Sequence, residues 1–442
     1  MQLPPEDDHH HGGHHRREDG DDEEGDWSSP DRQDDRVIIK SPAGTTPVSL
    51  SAAFLLILLL INTHLIREAV SQRTTHATNN SYTYFEDLLN DKFSHLTIND
   101  FTGQVYVGAV NKIYQLKPNL DLEAVVEMGP RDDSSDCPVT GFCPTVPKRP
   151  TDYWNKALVI DYPQSRLISC GSLFQGVCSV HKLGNVSLYE TVRNESVVSN
   201  NATASTYAFI APGPPKLFRM HVLYAGVTFT GNGPYRSDVP AVASRSLDNS
   251  MMFSVASSGV TTGTRLLLNS LARESYPINY VYGFASKDFS YFLTVQKKST
   301  QNSWPFISKL VRICQKDITY NSYTEVPLVC RSSDGTDYNL AQAATVAKPG
   351  SELAVSLGIT AQDEVLFVTF AKSQDDQDVY NKPSKNSALC VYALSAIHRK
   401  FTQNIQHCFN GNGNQGLDFV TVSLPCVLTV SSSCPHLLFS LV

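Results

Sequence analysis

Recurrence constrains this chain more than any single motif. From Tyr82 onward, short apolar runs come in clusters about every 50–60 residues, with long polar loops between them. The stretch "GQVYVGAVNKIYQL" (103–116) sets the pattern. Val105, Val107 and Ala109 alternate with Tyr106, Gly108 and Val110, a polar break falls at Asn111–Lys112, and apolar residues resume at Ile113, Tyr114 and Leu116. Both faces are apolar, so the segment reads as strand, turn, strand in a sheet covered on both sides. "KALVIDYPQSRLISCGS" (156–172) reads as a hairpin across Pro-Gln-Ser, and "NYVYGFASKDFSYFLTVQ" (279–296) as another around Lys287–Asp288. Further runs lie at 206–212, 218–230, 306–314, 323–330, 363–373 and 387–397. Helix is sparse. The candidates are 339–347, 351–357 and 395–408, the last with Ile397, Phe401 and Ile405 four residues apart.

Short antiparallel strands repeating at this period predict an all-β fold, a β-propeller of about six sheets between residues 82 and 428. An immunoglobulin-like array would repeat nearer every hundred residues, around a Cys…Trp…Cys frame that Trp27, Trp154 and Trp304 do not supply. Aromatics make up 10% of the 442 residues and charged residues only 18%, a composition able to bury a core. The net charge of −7 is concentrated at one end, where residues 1–35 hold 13 acidic side chains against 3 arginines. The remainder is close to neutral, which argues against nucleic-acid binding. Residues 1–46 read as a disordered acidic tail, its histidine run included.

Residues 47–71 contain the one long apolar run, "PVSLSAAFLLILLLI". Its uninterrupted core, Ala52–Ile61, is short for a bilayer span and suits a signal-peptide core. Arg36 and Lys40 precede it, and Ala69, Val70 and Ser71 place small residues at a cleavage-like spacing. The segment is a signal peptide, or a signal anchor that leaves the acidic tail in the cytoplasm; either places the rest in the secretory pathway. Ten cysteines agree with that compartment: 137, 143, 170, 178, 314, 330, 390, 408, 426 and 434. None forms a C-x2-C pair, so disulfides are expected rather than zinc or redox sites. N-x-S/T sequons occur at Asn79, Asn185, Asn194 and Asn201. The last three fall in a polar stretch without a strand pattern and read as a glycosylated surface loop.

Catalytic signatures are missing from the sequence: there is no G-x-S-x-G, H-E-x-x-H or P-loop. His181, His221, His398 and His407 have no Cys or Asp partner at a useful spacing and read as packing or surface residues. The acidic runs "DDSSD" (132–136) and "SQDDQDV" (373–379) read as solvated loops rather than calcium sites. No enzyme activity, cofactor or metal is expected. Function should lie in surface recognition.

"TGQVYVGAVNKIYQL" (102–116) resembles the first blade of a sema domain, and more narrowly that of a plexin. So do "LISCGSLFQGVC" (167–178), "NYVYGFAS" (279–286), "SKLVRIC" (308–314), "NSALCVYAL" (386–394), "CFNGNGNQGLDF" (408–419) and "LPCVLT" (424–429). "FIAPGPP" (209–215) and "PAVASRSL" (240–247) are most similar to invertebrate A-type plexins. The resemblance implies a seven-bladed sema propeller, with Gly108 allowing close backbone approach near its hub. It implies an incomplete sema domain over 82–429 and a family-foreign tail over 430–442, a truncated isoform or an imperfect gene product. It also implies the disulfides Cys137–Cys143, Cys170–Cys178, Cys330–Cys390 and Cys408–Cys426, and leaves Cys314 and Cys434 without an assigned partner.

The implied function is that of an extracellular receptor domain at the cell surface. It would bind the sema domain of a semaphorin in axon guidance and cell-surface signalling, with other plexin chains as further partners. "TGNGPYRSDVP" (230–240), which presents Tyr235, Arg236 and Asp238, is one candidate contact loop, and Val427–Thr429 is another. The alternatives are a secreted semaphorin-like ligand, which would need its own dimerising surface, and a truncated decoy that sequesters semaphorin. A propeller hydrolase would need carboxylates or histidines converging on a channel.

Overall fold

The computed structural model describes residues 72–76, 82–88, 92–214, 221–228, 231–258, 263–268, 276–298, 305–374 and 381–411. Among them five sheets follow one another in chain order. The first is β3 (Phe93–Ile98), β4 (Val105–Ala109), β5 (Lys112–Leu116) and β6 (Leu122–Glu127), preceded by a hairpin of β1 (Gln72–His76) and β2 (Thr83–Asp87). A small ribbon, β7 (Arg131–Asp133) with β8 (Arg149–Thr151), leads to the second sheet. That sheet is β9 (Asn155–Asp161), β10 (Arg166–Gly171), β11 (Cys178–Lys182) and β12 (Asn185–Val192). The third is β13 (Thr206–Pro212), β14 (His221–Val227), β15 (Val242–Ser246) and β16 (Arg265–Leu266). The fourth is β17 (Ile278–Ser286), β18 (Phe289–Lys297), β19 (Phe306–Cys314) and β20 (Thr324–Pro327). The fifth is β21 (Leu340–Ala347), β22 (Val365–Ser373) and β23 (Pro383–Ala393). A short helix α1 (Ser351–Ser356) lies in the β21–β22 connection, and α2 (Leu394–Phe409) follows β23.

Strands within each sheet pair antiparallel in sequence order, so each sheet is a meander. Local chemistry sets the turns. Asn111 takes φ 63° between β4 and β5, and Lys287 takes φ 54° between β17 and β18, positions where the chain must reverse within two residues. The first strand of each sheet lies against the first strand of the next: β3 on β9, β9 on β13, β13 on β17, β17 on β21. This adjacency arranges the sheets as successive sectors about an inner surface. A cavity of about 660 Å³ sits there, lined by Leu96 and Ile98 of β3, Leu158 and Ile160 of β9, and Ala208 and Ile210 of β13. The arrangement is that of propeller blades.

The core occupies the seams between sheets. Tyr106 and Ile113 of the first sheet pack with Leu158 and Leu167 of the second. Ile168 and Cys170 meet Leu223 and Ala225 of the third. Tyr224 and Val242 meet Tyr280 and Phe292 of the fourth. Tyr291 and Leu310 meet Leu366, Phe370 and Phe401 of the fifth sheet and α2. Strands covered on both faces bury consecutive positions, as β4, β10 and β18 do along their whole lengths, polar residues such as Ser169 and Thr294 included. Gly108 is required for a different reason from close backbone approach: a Cβ there would collide with the Asn155 side chain of the neighbouring sheet.

Residues 339–347 are a strand, not the helix their alanines suggest. β21 pairs with β22 from Leu340↔Ala371 to Ala347↔Val365, and those ladder bonds override a modest local propensity. The two later helix expectations correspond to α1 and α2. In α2, Leu394, Ile397, Phe401, Ile405 and Cys408 form the buried stripe.

Disulfides join Cys137–Cys143, Cys170–Cys178 and Cys330–Cys390. Cys314, left without an assigned partner by the resemblance, is disulfide-bonded, and so is Cys408. Cys426, Cys434, Val427, Thr429, Asn79, the acidic tail, the apolar segment 47–71 and the 430–442 tail lie outside the described residues. Among the described residues no helix is long and apolar enough to cross a membrane.

Candidate functional site

Of the expected contact segments, the loop joining β14 to β15 lies among the described residues from position 231 onward. Within it Pro234–Asp238 forms a 3-10 turn, started by Gly233 at φ 76° and by Pro234, whose ring presets the backbone. Arg236 and Asp238 are exposed and Tyr235 is half-buried. The structure thus brings all three expected contact residues onto one turn.

Supports for the turn come from three neighbouring connections. Asn200 grips the backbone of Asn232 twice: its Oδ1 accepts from the Asn232 N–H at 2.7 Å, and its Nδ2 donates to the Asn232 carbonyl at 2.9 Å. The same Nδ2 donates to Gln175 Oε1 at 2.8 Å. Gln175 in turn donates to the carbonyls of Ser135 and Cys137, at 2.9 and 2.7 Å, inside the Cys137–Cys143 region. Gly233 closes the circuit, since a Cβ there would collide with the Ser135 carbonyl oxygen. The disulfide loop, the Leu173–Gln175 turn, the 195–204 loop and the Pro234–Asp238 turn therefore form one assembly. Between them lies a polar cavity of about 650 Å³, lined among others by Asp133, Asp136, Lys148, Arg149 and Asn232.

Buried cations from two sheets hold the 195–204 loop in place. Arg245 donates to Glu195 Oε2 at 2.6 Å and to the Ser196 carbonyl at 2.8 Å. Lys156 donates to the carbonyls of Ala202 and Ala204 at 2.5 and 2.7 Å, and burial draws its ammonium down to about 8. The N–H groups of Val197 and Val198 both reach the Gly176 carbonyl. An irregular segment held at so many points behaves as a fixed platform.

Sequence reasoning missed this platform. Gly233-Pro234 carries a turn signal, but Gln175, Asn200 and Asn232 are ordinary polar residues whose roles arise from contacts across the chain. Two further expectations need correction. "DDSSD" is not wholly solvated: Asp133 is buried and accepts from the N–H groups of Ser134 and Phe174 at 2.8 and 2.7 Å. The sequon stretch is not free of strand, since exposed Asn185 opens β12, whereas Asn194 and Asn201 lie in the β12–β13 loop.

Of the four histidines singled out, His181 serves packing, whereas His221 and His407 are exposed. His181 is buried, its Nε2 lies 2.8 Å from Ser169 Oγ and its Nδ1 2.8 Å from the Val186 carbonyl. A carbonyl accepts only, so Nδ1 carries the proton and Nε2 accepts from the serine. Burial lowers His181 to about 4. A serine–histidine pair sealed in a core and oriented by a backbone carbonyl lacks both substrate access and a carboxylate, which a nucleophilic site requires. Among the described residues no group of three or more His, Cys, Asp or Glu side chains is placed to hold a metal ion.

Comparison with known proteins adds to this geometry. Residues 341–434 match the family model for the Sema domain. Plexin-A2 of Homo sapiens is 34% identical over 367 residues, which cover 78% of this chain and 18% of that protein. Plexin-A3 of Mus musculus is 35% identical over 359 residues, with 76% and 18% covered. A structure of the full extracellular region of Plexin A4 superposes with a TM-score of 0.67 at 30% identity, covering 77% of this chain and 38% of that one. The chain spans about 18% of the length of the curated relatives it matches. Sheet order, shared sequence and solved relatives agree: across the residues it shares with them, this chain is a plexin-type sema propeller.

Proposed function

We propose that the chain is the extracellular ligand-recognition domain of a plexin-type receptor at the cell surface. In this reading it binds the sema domain of a semaphorin in axon guidance, and it associates with other plexin chains. The observation that carries the reading is the Pro234–Asp238 turn, which presents Tyr235, Arg236 and Asp238 from a platform fixed by Asn200, Gln175 and Gly233. A preorganised turn with an aromatic and an arginine suits protein–protein recognition, because little conformational freedom is lost on binding. Val427 and Thr429 are proposed as a second contact. The same reading pairs Cys408 with Cys426 and places N-glycans on Asn79, Asn185, Asn194 and Asn201.

The test is Arg236→Glu in the secreted ectodomain, titrated against semaphorin ectodomains by surface plasmon resonance. Affinity should fall about tenfold or more, as for a central arginine, while the melting temperature stays put. Unchanged affinity in a folded variant removes the turn from the interface.

A further inference from the structure

The β12–β13 loop carries two sequons on the platform that positions the recognition turn. Asn201 directly follows Asn200, the residue that grips Asn232 and so holds the turn. Ser199 and Asn200 also line a small crevice together with Gly231, Tyr235 and Arg236. Asn201 is half-buried, and its Oδ1 accepts from both the N–H and the hydroxyl of Thr203, at 2.9 and 3.0 Å. The amide is thereby folded against the third residue of its own sequon. The platform does not yield: Lys156 pins Ala202 and Ala204 on one side, and Arg245 pins Glu195 and Ser196 on the other. A glycan leaving Asn201 has a fixed root one residue from the turn's support. It would be bulky and hydrated, rooted next to Asn200, which lines the crevice with Tyr235 and Arg236. The other sequons differ. Asn185 opens β12, beside the Leu183–Gly184 turn that docks on Tyr106 and Gln115 of the first sheet. Asn194 lies beside Met252.

We infer that Asn201 is a glycosylation site whose glycan screens the recognition turn, so that occupancy and processing at this one asparagine tune partner access. The inference rests on the recognition reading for its consequence, but the screening itself is physical and can be read without a partner.

The experiment uses the secreted ectodomain from a glycosylating host, as wild type and as Asn201→Gln, Thr203→Ala and Asn185→Gln. Glycopeptide mass spectrometry should find Asn201 occupied; an unoccupied site overturns the inference. Hydroxyl-radical footprinting should then show Tyr235 oxidised more in Asn201→Gln and Thr203→Ala than in wild type, with Asn185→Gln unchanged. Equal oxidation of Tyr235 in all four proteins also overturns it. Two routes to the same loss guard against a local effect of either substitution. With semaphorin ectodomain as the probe, the association rate should rise in the two Asn201-sequon variants. If oxidation rises but the association rate does not, and Arg236→Glu also leaves binding intact, the recognition reading has failed while the screening stands. If Arg236→Glu abolishes binding but the association rate does not rise, tuning by this glycan is overturned.

Discussion

Single residues decide whether the Pro234–Asp238 turn has one shape. Gly233 sits in the left-handed region and faces the Ser135 carbonyl, so any side chain meets both a backbone penalty and a collision. Gly233→Ala should lose about 1–2 kcal/mol from the conformational term alone, read by urea denaturation, and should weaken semaphorin binding more than that loss explains. His181 sets an acid limit at the same scale. The unfolded imidazole titrates near the ordinary value of 6.5, whereas the buried one holds off its proton until about 4. The unfolded chain therefore binds the proton first as pH falls. The stability tied to His181 is complete above 6.5, declines as pH drops, and is gone below about 4. The loss is on the order of 3 kcal/mol. His181→Gln should flatten this part of the stability profile between pH 7 and 4; an unaltered slope would show that other groups carry it. His398 is lowered in the same direction, by burial first and then by Arg312.

Elements are fixed by what they pack against. The alanine-rich β21 is a strand because β22 offers it a full ladder, and α2 is a helix because its apolar stripe falls at helical spacing and seats Phe401 on the fourth sheet. Arg312 lies between the rings of Phe289 and Phe401, 4.3 and 4.6 Å from their centres, so the helix covers a buried cation with an aromatic face. The Cys330–Cys390 bond ties the loop before β21 to β23 across a separation of 60 residues. Replacing both by serine should lower stability by about 4 kcal/mol in the chain-entropy treatment. Chemical denaturation of the double variant measures it, and a loss near zero would mean that the ladder alone holds the fifth sheet.

At the scale of the whole molecule, stability is shared among seams. Each sheet buries its faces against the next, so damage at one seam should loosen that seam first. The β1–β2 hairpin extends this logic beyond the first sheet. Asp87 is buried, accepts from Tyr114 Oη at 2.5 Å and pairs with Lys112 Nζ at 3.1 Å, while Phe85 stacks on Phe93 and meets Tyr114 edge to face. Asp87→Ala removes the buried carboxylate shared by Tyr114 and Lys112, leaves Lys112 its longer pairing with Glu127 at 3.7 Å, and should cost up to about 3 kcal/mol. Hydrogen exchange should locate the loosening in β2 and the first sheet. Spread of the loosening into the fourth sheet would contradict independence of the seams.

Local pattern alone determined much of this protein. Alternation in "VYVGA", the Asn111 turn and the four-residue spacing in α2 all depend on neighbours within a few positions, where backbone sterics and side-chain period act directly. The order and spacing of short motifs carried the family resemblance for the same reason. What tertiary structure alone decided depends on residues far apart in the chain. Alanine-rich 340–347 became a strand through its partner, Cys314 gained a disulfide, Asp133 became buried, and Asn200, Gln175 and Gly233 became the supports of the Pro234–Asp238 turn. Polar side chains carry no periodic signal. Their roles are set by which donor, acceptor or carbonyl the folded chain places opposite them, and that is a property of the assembled sheets.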